Sequence, residues 1–189
     1  MSRSAIQISL PDWAETYLAN PTRTIGDKEQ MRLAIALARE NVIRNTGGPF
    51  GAAVFEVATG RLVSVGVNSV ERLSNSVLHA EIMALMFGES DVGSFSLHGD
   101  NMPELALVTS CEPCAMCLGA ILWSGVRRVV CGATRDDAVR IGFDEGPVFP
   151  ESYEYLGKRG LTFVHGSLRT EANAVLESYR AGGGLVYNG

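Results

Sequence analysis

A chain of 189 residues with 46% apolar and 20% charged side chains can bury one ordinary core, and is too apolar and too weakly charged to be disordered. No apolar run approaches the roughly 20 residues of a membrane-spanning helix, and the first ten residues lack the long apolar stretch of a secretory signal, so a soluble cytoplasmic domain is expected. A net charge of −5 with scattered basic residues argues against nucleic acid as the principal partner, because that binding is driven by phosphate neutralisation.

Residues 1–26 read as an N-terminal extension, with a short helix around Pro11 to Leu18 that Pro21 interrupts. Asp27 then stands as an N-cap with Gln30 in the capping-box position. Met31, Ala34, Ile35, Ala38 and Val42 recur at helical spacing, which predicts a helix to about Asn45 that stops at Gly47-Gly48. Ala52 to Val57 and Leu62 to Val67 read as two strands joined by a hairpin near Thr59-Gly60. A helix is predicted from near His79 through Phe87, and a strand from Leu105 to Thr109. Ser110 or Cys111 can cap the next helix, with Pro113 in its first turn and its end near Ser124-Gly125. Arg128 to Cys131 and Leu161 to Val164 are further strands, with a helix between them, and Thr170 to Tyr179 forms a final helix. This order implies an α/β domain over residues 27–181, with a five-stranded mixed sheet between helices. Residues 182–189 form a tail, glycine-rich at its start and carrying Tyr187 near its end.

The chemistry concentrates in two places. His79-Ala80-Glu81 offers an imidazole with a carboxylate two residues on, and Pro113-Cys114-Ala115-Met116-Cys117 offers two thiols one helical turn apart. A lone CxxC fits a redox pair or two core cysteines equally well, but the upstream His and Glu tip the balance to zinc. Three protein ligands, His79, Cys114 and Cys117, leave a fourth position for water, with Glu81 as the proton shuttle beside it. Helix N-termini favour thiolate over thiol and suit a carboxylate. Cys111 and Cys131 read as small apolar residues, His98 and His165 show no partner pattern, and Arg127-Arg128 reads as a solvated strand start.

The H-x-E…P-C-x-x-C arrangement is the signature of zinc-dependent base deaminases. Gly47-Gly48-Pro49-Phe50-Gly51-Ala52, Asn68, Ser110 to Ala120 and Ile141-Gly142-Phe143-Asp144-Glu145-Gly146-Pro147 closely resemble guanine deaminases of the cytidine deaminase superfamily. The resemblance covers roughly Asp27 to the C terminus, with the extension looking peculiar to this chain. It implies a three-layer α/β/α sandwich, one Zn2+, and hydrolysis of guanine to xanthine and ammonia by a zinc-activated hydroxide with Glu81 shuttling protons. It further implies that Asn68 meets the purine edge and Phe50 stacks on the ring. Ala80, Phe143, Asp144 and Tyr187 would complete the substrate site, and Glu145 would lie beside the departing amine. Bacterial members often carry Asp at that last position, where this chain has the longer Glu. A homodimer is implied, in which the tail closes the site and is exchanged between subunits. The metal motifs alone would equally suit a tRNA adenosine deaminase, a cytosine or other free-base deaminase, or a non-catalytic zinc module, and a site that reads an amine flanked by two ring nitrogens would admit an aminotriazine as a secondary substrate. The acidic balance of the chain favours a small purine base over the tRNA.

Overall fold

Runs rich in Val, Leu and Ala make the sheet because helices cover both of its faces, so strand residues are apolar without alternation. In the computed structural model, which describes residues 5–19 and 23–188, the strands are β1 (Gly51–Glu56), β2 (Leu62–Val67), β3 (Leu105–Cys111), β4 (Arg128–Ala133) and β5 (Thr162–Val164). Their order is β2-β1-β3-β4-β5. β1 pairs antiparallel with β2 and with β3, whereas β3, β4 and β5 run parallel. The sheet is therefore mixed, and the C-terminal ends of its three parallel strands open on one side, where α/β sheets bind ligands.

On one face α1 (Asp12–Ala19), α2 (Asp27–Ile43) and α8 (Arg169–Ala181) bury Ala14, Met31, Leu37 and Leu176 against Phe55, Val65, Val108 and Val130. On the other, α4 (Ala80–Val92), α5 (Ala115–Ser124) and α7 (Pro150–Lys158) bury Leu85, Ile121 and Leu156 against Val54, Val63, Leu107 and Val129. The expected α/β/α sandwich is thus present. Two short helices, α3 (Val70–Leu73) and α6 (Arg135–Arg140), were not expected from the sequence. Close helix approach depends on two strand glycines. A Cβ on Gly51 would lie 2.5 Å from the Ala34 carbonyl oxygen of α2, and one on Gly66 would lie 2.1 Å from the Ala80 oxygen of α4.

Four local expectations are corrected. Gly26, not Asp27, is the N-cap of α2, and no side chain caps it. The Asp27 carboxylate instead accepts from Arg128 at 2.7 Å, so Arg128 is an ion-pair partner rather than a free solvated cation. Gln30 donates to the Thr24 carbonyl rather than closing a capping box. Neither Ser110 nor Cys111 caps α5. Parallel pairing of Cys111 with Ala133 extends β3 through both residues, so Cys114 becomes the N-cap and Pro113 precedes it. Cys111 does end a buried strand, and Cys131 lies in the core.

The extension packs on its own chain. Leu10 and Ala14 are buried, and the Trp13 indole donates to Thr46 Oγ1 at 3.2 Å. The expected break at Pro21 lies outside the described residues. Among the described residues, no helix is long and apolar enough to cross a membrane.

Candidate active site

The two metal-binding segments enter the site at helix starts. His79 is the N-cap of α4 and Cys114 the N-cap of α5, both extended (ψ 161° and 174°) and neither using its side chain to cap. The side chains are therefore free to meet across the carboxyl edge of the sheet. His79 Nδ1 lies 3.5 Å from Cys114 Sγ and 3.7 Å from Cys117 Sγ. At ordinary Zn–N and Zn–S bond lengths, a tetrahedral ion holds such donors about 3.6 Å apart. The three donor atoms fit zinc, and among the described residues no fourth His, Cys, Asp or Glu joins them. A structural zinc site would close its shell with a fourth protein ligand.

The pocket beside them is small and lined by most of the expected residues. Phe50, Asn68, His79, Glu81, Cys114, Phe143, Asp144, Glu145 and Tyr187 surround an inner cavity of about 40 Å³, together with Glu112. Outside it a cleft of about 410 Å³ runs between Val70, Met116, Gly146 and Asn188. Cys117 is fully buried behind the cavity, and Ala80 does not line it, being buried where α4 crosses the sheet. One wall is aromatic. Phe143 meets Phe50 edge-on at 5.1 Å and Tyr187 at 5.2 Å.

Asn68 follows β2 and is 1% exposed. Its Oδ1 accepts from Val70 N at 3.3 Å, while its Nδ2 is buried without a partner among the described residues. Asn41 of α2, which the sequence did not single out, fixes this corner by donating to the carbonyls of Gly48 and Asn68 at 2.9 Å each. A buried unsatisfied donor costs on the order of 1–3 kcal/mol unless something supplies an acceptor. The Asn68 amide is therefore able to donate to a ligand oxygen or ring nitrogen that enters the pocket.

Electrostatically the pocket is crowded with negative charge. Cys114 is pulled down to about 4, chiefly by its hydrogen bond with Cys117, and the buried Cys117 thiol is pushed up in return. Burial, and then the Cys114 charge, raises Glu81. Glu145 is raised to about 8 by burial, with Cys114 and Glu81 adding to it. His79 is raised although burial opposes it, because Cys114, Glu81 and Glu145 surround it. A cation at the three donors offsets this repulsion and keeps the coordinating thiols ionised. The donor set and its field therefore both favour a divalent metal.

The tail is strapped over the pocket of its own chain. Tyr179 of α8 donates to the Leu185 carbonyl at 2.8 Å, and Asn188 Nδ2 donates to the Gly142 carbonyl at 3.0 Å. Asp144 spends its backbone N–H on Asn188 Oδ1 at 2.8 Å, and its carboxylate accepts from Gly146 N at 2.8 Å, so it shapes the turn beside Glu145. His165, which showed no partner in the sequence, lies 2.6 Å from Glu112 Oε1 through its Nδ1. These two residues stand 53 positions apart, and their pairing exists only once β3 and β5 share a sheet.

Comparison with known proteins agrees with this geometry. Residues 25–133 match the family profile of the cytidine and deoxycytidylate deaminase zinc-binding region. The chain is 33% identical over 150 residues to guanine deaminase of Bacillus subtilis (strain 168), covering 79% of this chain and 91% of that one. A solved guanine deaminase from Nitrosomonas europaea superposes with a TM-score of 0.91 at 40% identity, covering 96% of this chain and 99% of the other. A solved complex with 2,6-diaminopurine gives a TM-score of 0.92 at 41% identity over 97% of both chains. That coverage takes in the N-terminal extension, which is therefore shared with solved relatives rather than peculiar to this chain. The chain belongs to the cytidine and deoxycytidylate deaminase family of zinc-dependent enzymes, among its guanine deaminases.

Proposed function

We propose that this protein hydrolyses guanine, as the free base, to xanthine and ammonia. The observation that carries the substrate is the unpartnered Asn68 Nδ2 on the aromatic wall next to the metal ligands. Guanine offers that donor two acceptors on one edge, O6 and N7, where adenine offers one acceptor and an amino group. The names of the relatives from Bacillus subtilis and Nitrosomonas europaea point the same way. The contacts of the tail across the mouth of the pocket favour a free base over a nucleoside or a polynucleotide.

His79, Cys114 and Cys117 would hold the zinc, which when bound supplies Lewis acidity that makes water nucleophilic near neutral pH. Phe50 would stack on the ring, with Phe143 packed edge-on against it in the same wall, and Asn68 fixes the keto edge so that C2 faces the ligands. Glu81 takes a proton from the attacking water and delivers it to a ring nitrogen next to C2. Glu145, on the far side of the pocket, holds the exocyclic amine as a second proton reaches it and ammonia leaves. Guanine and water thus balance xanthine and ammonia. The inner cavity of about 40 Å³ holds little more than one water, so Tyr187 and the tail lift to admit the base and reseat to exclude solvent.

None of the four cysteines is in a disulfide, which suits a reducing cytoplasm, and the purine substrate suits a role in purine catabolism. Met116 and Trp123 on α5, with Phe149 and Tyr155 at the start of and within α7, whose Tyr155 shares a cleft with α5, leave apolar surface exposed, and we place a homodimer contact there. Exchange of tails between subunits would reproduce in trans the contacts the tail makes in cis. Light scattering of the wild type and of Trp123→Glu tests the dimer, which should be lost in the variant.

The decisive assay presents guanine, guanosine, adenine, cytosine, an aminotriazine and a tRNA anticodon stem to the zinc-loaded protein. Guanine should lose its ultraviolet signature to xanthine while guanosine persists. Turnover of cytosine or of the tRNA stem without guanine would overturn the reading.

A further inference from the structure

We infer that Glu112, Arg135 and His165 form a brace across the ends of the three parallel strands that sets the position of Glu145, which makes them positioning residues for the deamination. This rests on the guanine reading above. Glu112 directly follows β3, Arg135 lies two residues beyond β4, and His165 directly follows β5. Glu112 joins the other two. Its Oε2 accepts from the Arg135 backbone N–H at 2.9 Å, and its Oε1 accepts from His165 Nδ1 at 2.6 Å. A carboxylate has only acceptor sites, so the imidazole nitrogen must carry the hydrogen. The His165 ring is itself held by Phe163, stacked at 5.9 Å, and by Tyr153, edge-on at 5.3 Å.

From that row the brace reaches the catalytic loop. The Arg135 guanidinium donates to the Val148 carbonyl at 2.9 Å. Val148 N donates in turn to the Gly146 carbonyl at 3.0 Å, and the Glu145 carbonyl accepts from Ala115 N, the first residue of α5, at 3.0 Å. The loop carrying Glu145 is therefore tied at one end to the metal-binding helix and at the other to Arg135. Among the described residues, the Glu145 carboxylate makes no hydrogen bond to the protein, so only its backbone locates it. A displacement of about 1 Å can cost up to about 100-fold in rate. Glu112 lines the inner cavity, but both its oxygens are occupied by donors. It serves as a strut, not as a free acid or base.

Two measurements test the brace in the zinc-loaded enzyme. The first is a double-mutant cycle in guanine turnover between Arg135→Ala and Glu145→Ala. Arg135→Ala should lower kcat roughly 10- to 100-fold with KM and zinc content unchanged. Arg135→Lys should recover part of that loss, and Arg135→Ala should cost nothing further in a Glu145→Ala background. An equal loss in both backgrounds overturns the proposal. The second is hydrogen exchange at Gly146 and Val148, which needs no substrate. It should accelerate in Arg135→Ala and, to a smaller extent, in His165→Ala, and unchanged exchange in both variants overturns the proposal. Failure of the wild type to deaminate guanine would sink the substrate reading instead, and the exchange measurement would still decide the brace.

Discussion

Two regions of this molecule bury carboxylates and treat them in opposite ways. Asp137, in the first turn of α6, has a side chain 2% exposed and is surrounded by donors. Thr134 gives it the backbone N–H and the hydroxyl at 2.9 Å each, Arg169 of α8 gives two N–H groups at 2.8 and 2.9 Å, and Arg140 adds an ion pair at 3.1 Å. The Arg169 bonds above all hold this carboxyl well below the usual aspartate range. Glu81 and Glu145 are buried as well, yet among the described residues neither has an arginine or lysine against it in an ion pair, and both are raised. A buried charge that is fully paired locks α6 to α8. Buried carboxyls left without cations bind a proton more tightly than exposed ones, which suits them to the proton transfers proposed above. The pocket sacrifices stability that the α6–α8 node retains.

That contrast can be broken or sharpened by perturbing each side separately. The largest effect belongs to the metal. Chelation of zinc should reduce turnover below detection and leave the far-ultraviolet circular dichroism unchanged, with activity returning when zinc is restored. A collapse of the secondary structure would make the site a structural centre. Next, Glu81→Gln should lower kcat by about 10² to 10⁴ while zinc content stays at one and the urea midpoint does not fall. A clear loss of stability there would erase the distinction between the two kinds of buried carboxyl. Asn68→Ala should raise KM about 10- to 100-fold with a smaller change in kcat, as expected for a group that binds the ring edge.

The smallest effect on turnover lies on the other side of the comparison. Asp137→Asn should leave kcat within about two-fold and lower stability by about 2 kcal/mol at pH 7, measured by urea denaturation. The pH dependence has a definite sign. A carboxyl depressed in the folded state contributes fully above its unfolded value of about 3.9 and loses that contribution as pH falls through the folded value. The gap between wild type and Asp137→Asn should therefore close below about pH 4. A gap that stays constant down to pH 2 would mean that the node is not held by charge.

The sequence carried the zinc ligands and Glu81 because their chemistry is encoded in short spacings, two residues for His79 and Glu81 and three for the cysteines. The strands were legible for a related reason, since each is a compact apolar run. What stayed hidden depends on partners brought from afar. The start of α5 moved because Cys111 pairs with Ala133, and Asp27 left its capping role because Arg128, 101 positions away, claims its carboxylate. Asn41 became a clamp only when α2 crossed behind the loop at Gly48. The helix α6 had a local signal that was overlooked, the capping box of Thr134 with Asp137. His165 had none, because its meaning comes entirely from lying one strand beyond β4.

The roof of the pocket rests on a single glycine. A Cβ on Gly48 would lie 2.5 Å from the Tyr187 hydroxyl, so the tyrosine seats only where residue 48 has no side chain. On the function proposed above, selectivity for size is thereby separated from the chemistry. The zinc ligands and Glu81 stand on helices anchored in the sheet, whereas the lid is a few residues of tail resting on one loop. On that reading, drift at Gly48 or after Gly184 would enlarge the range of bases admitted without altering how an amine is removed.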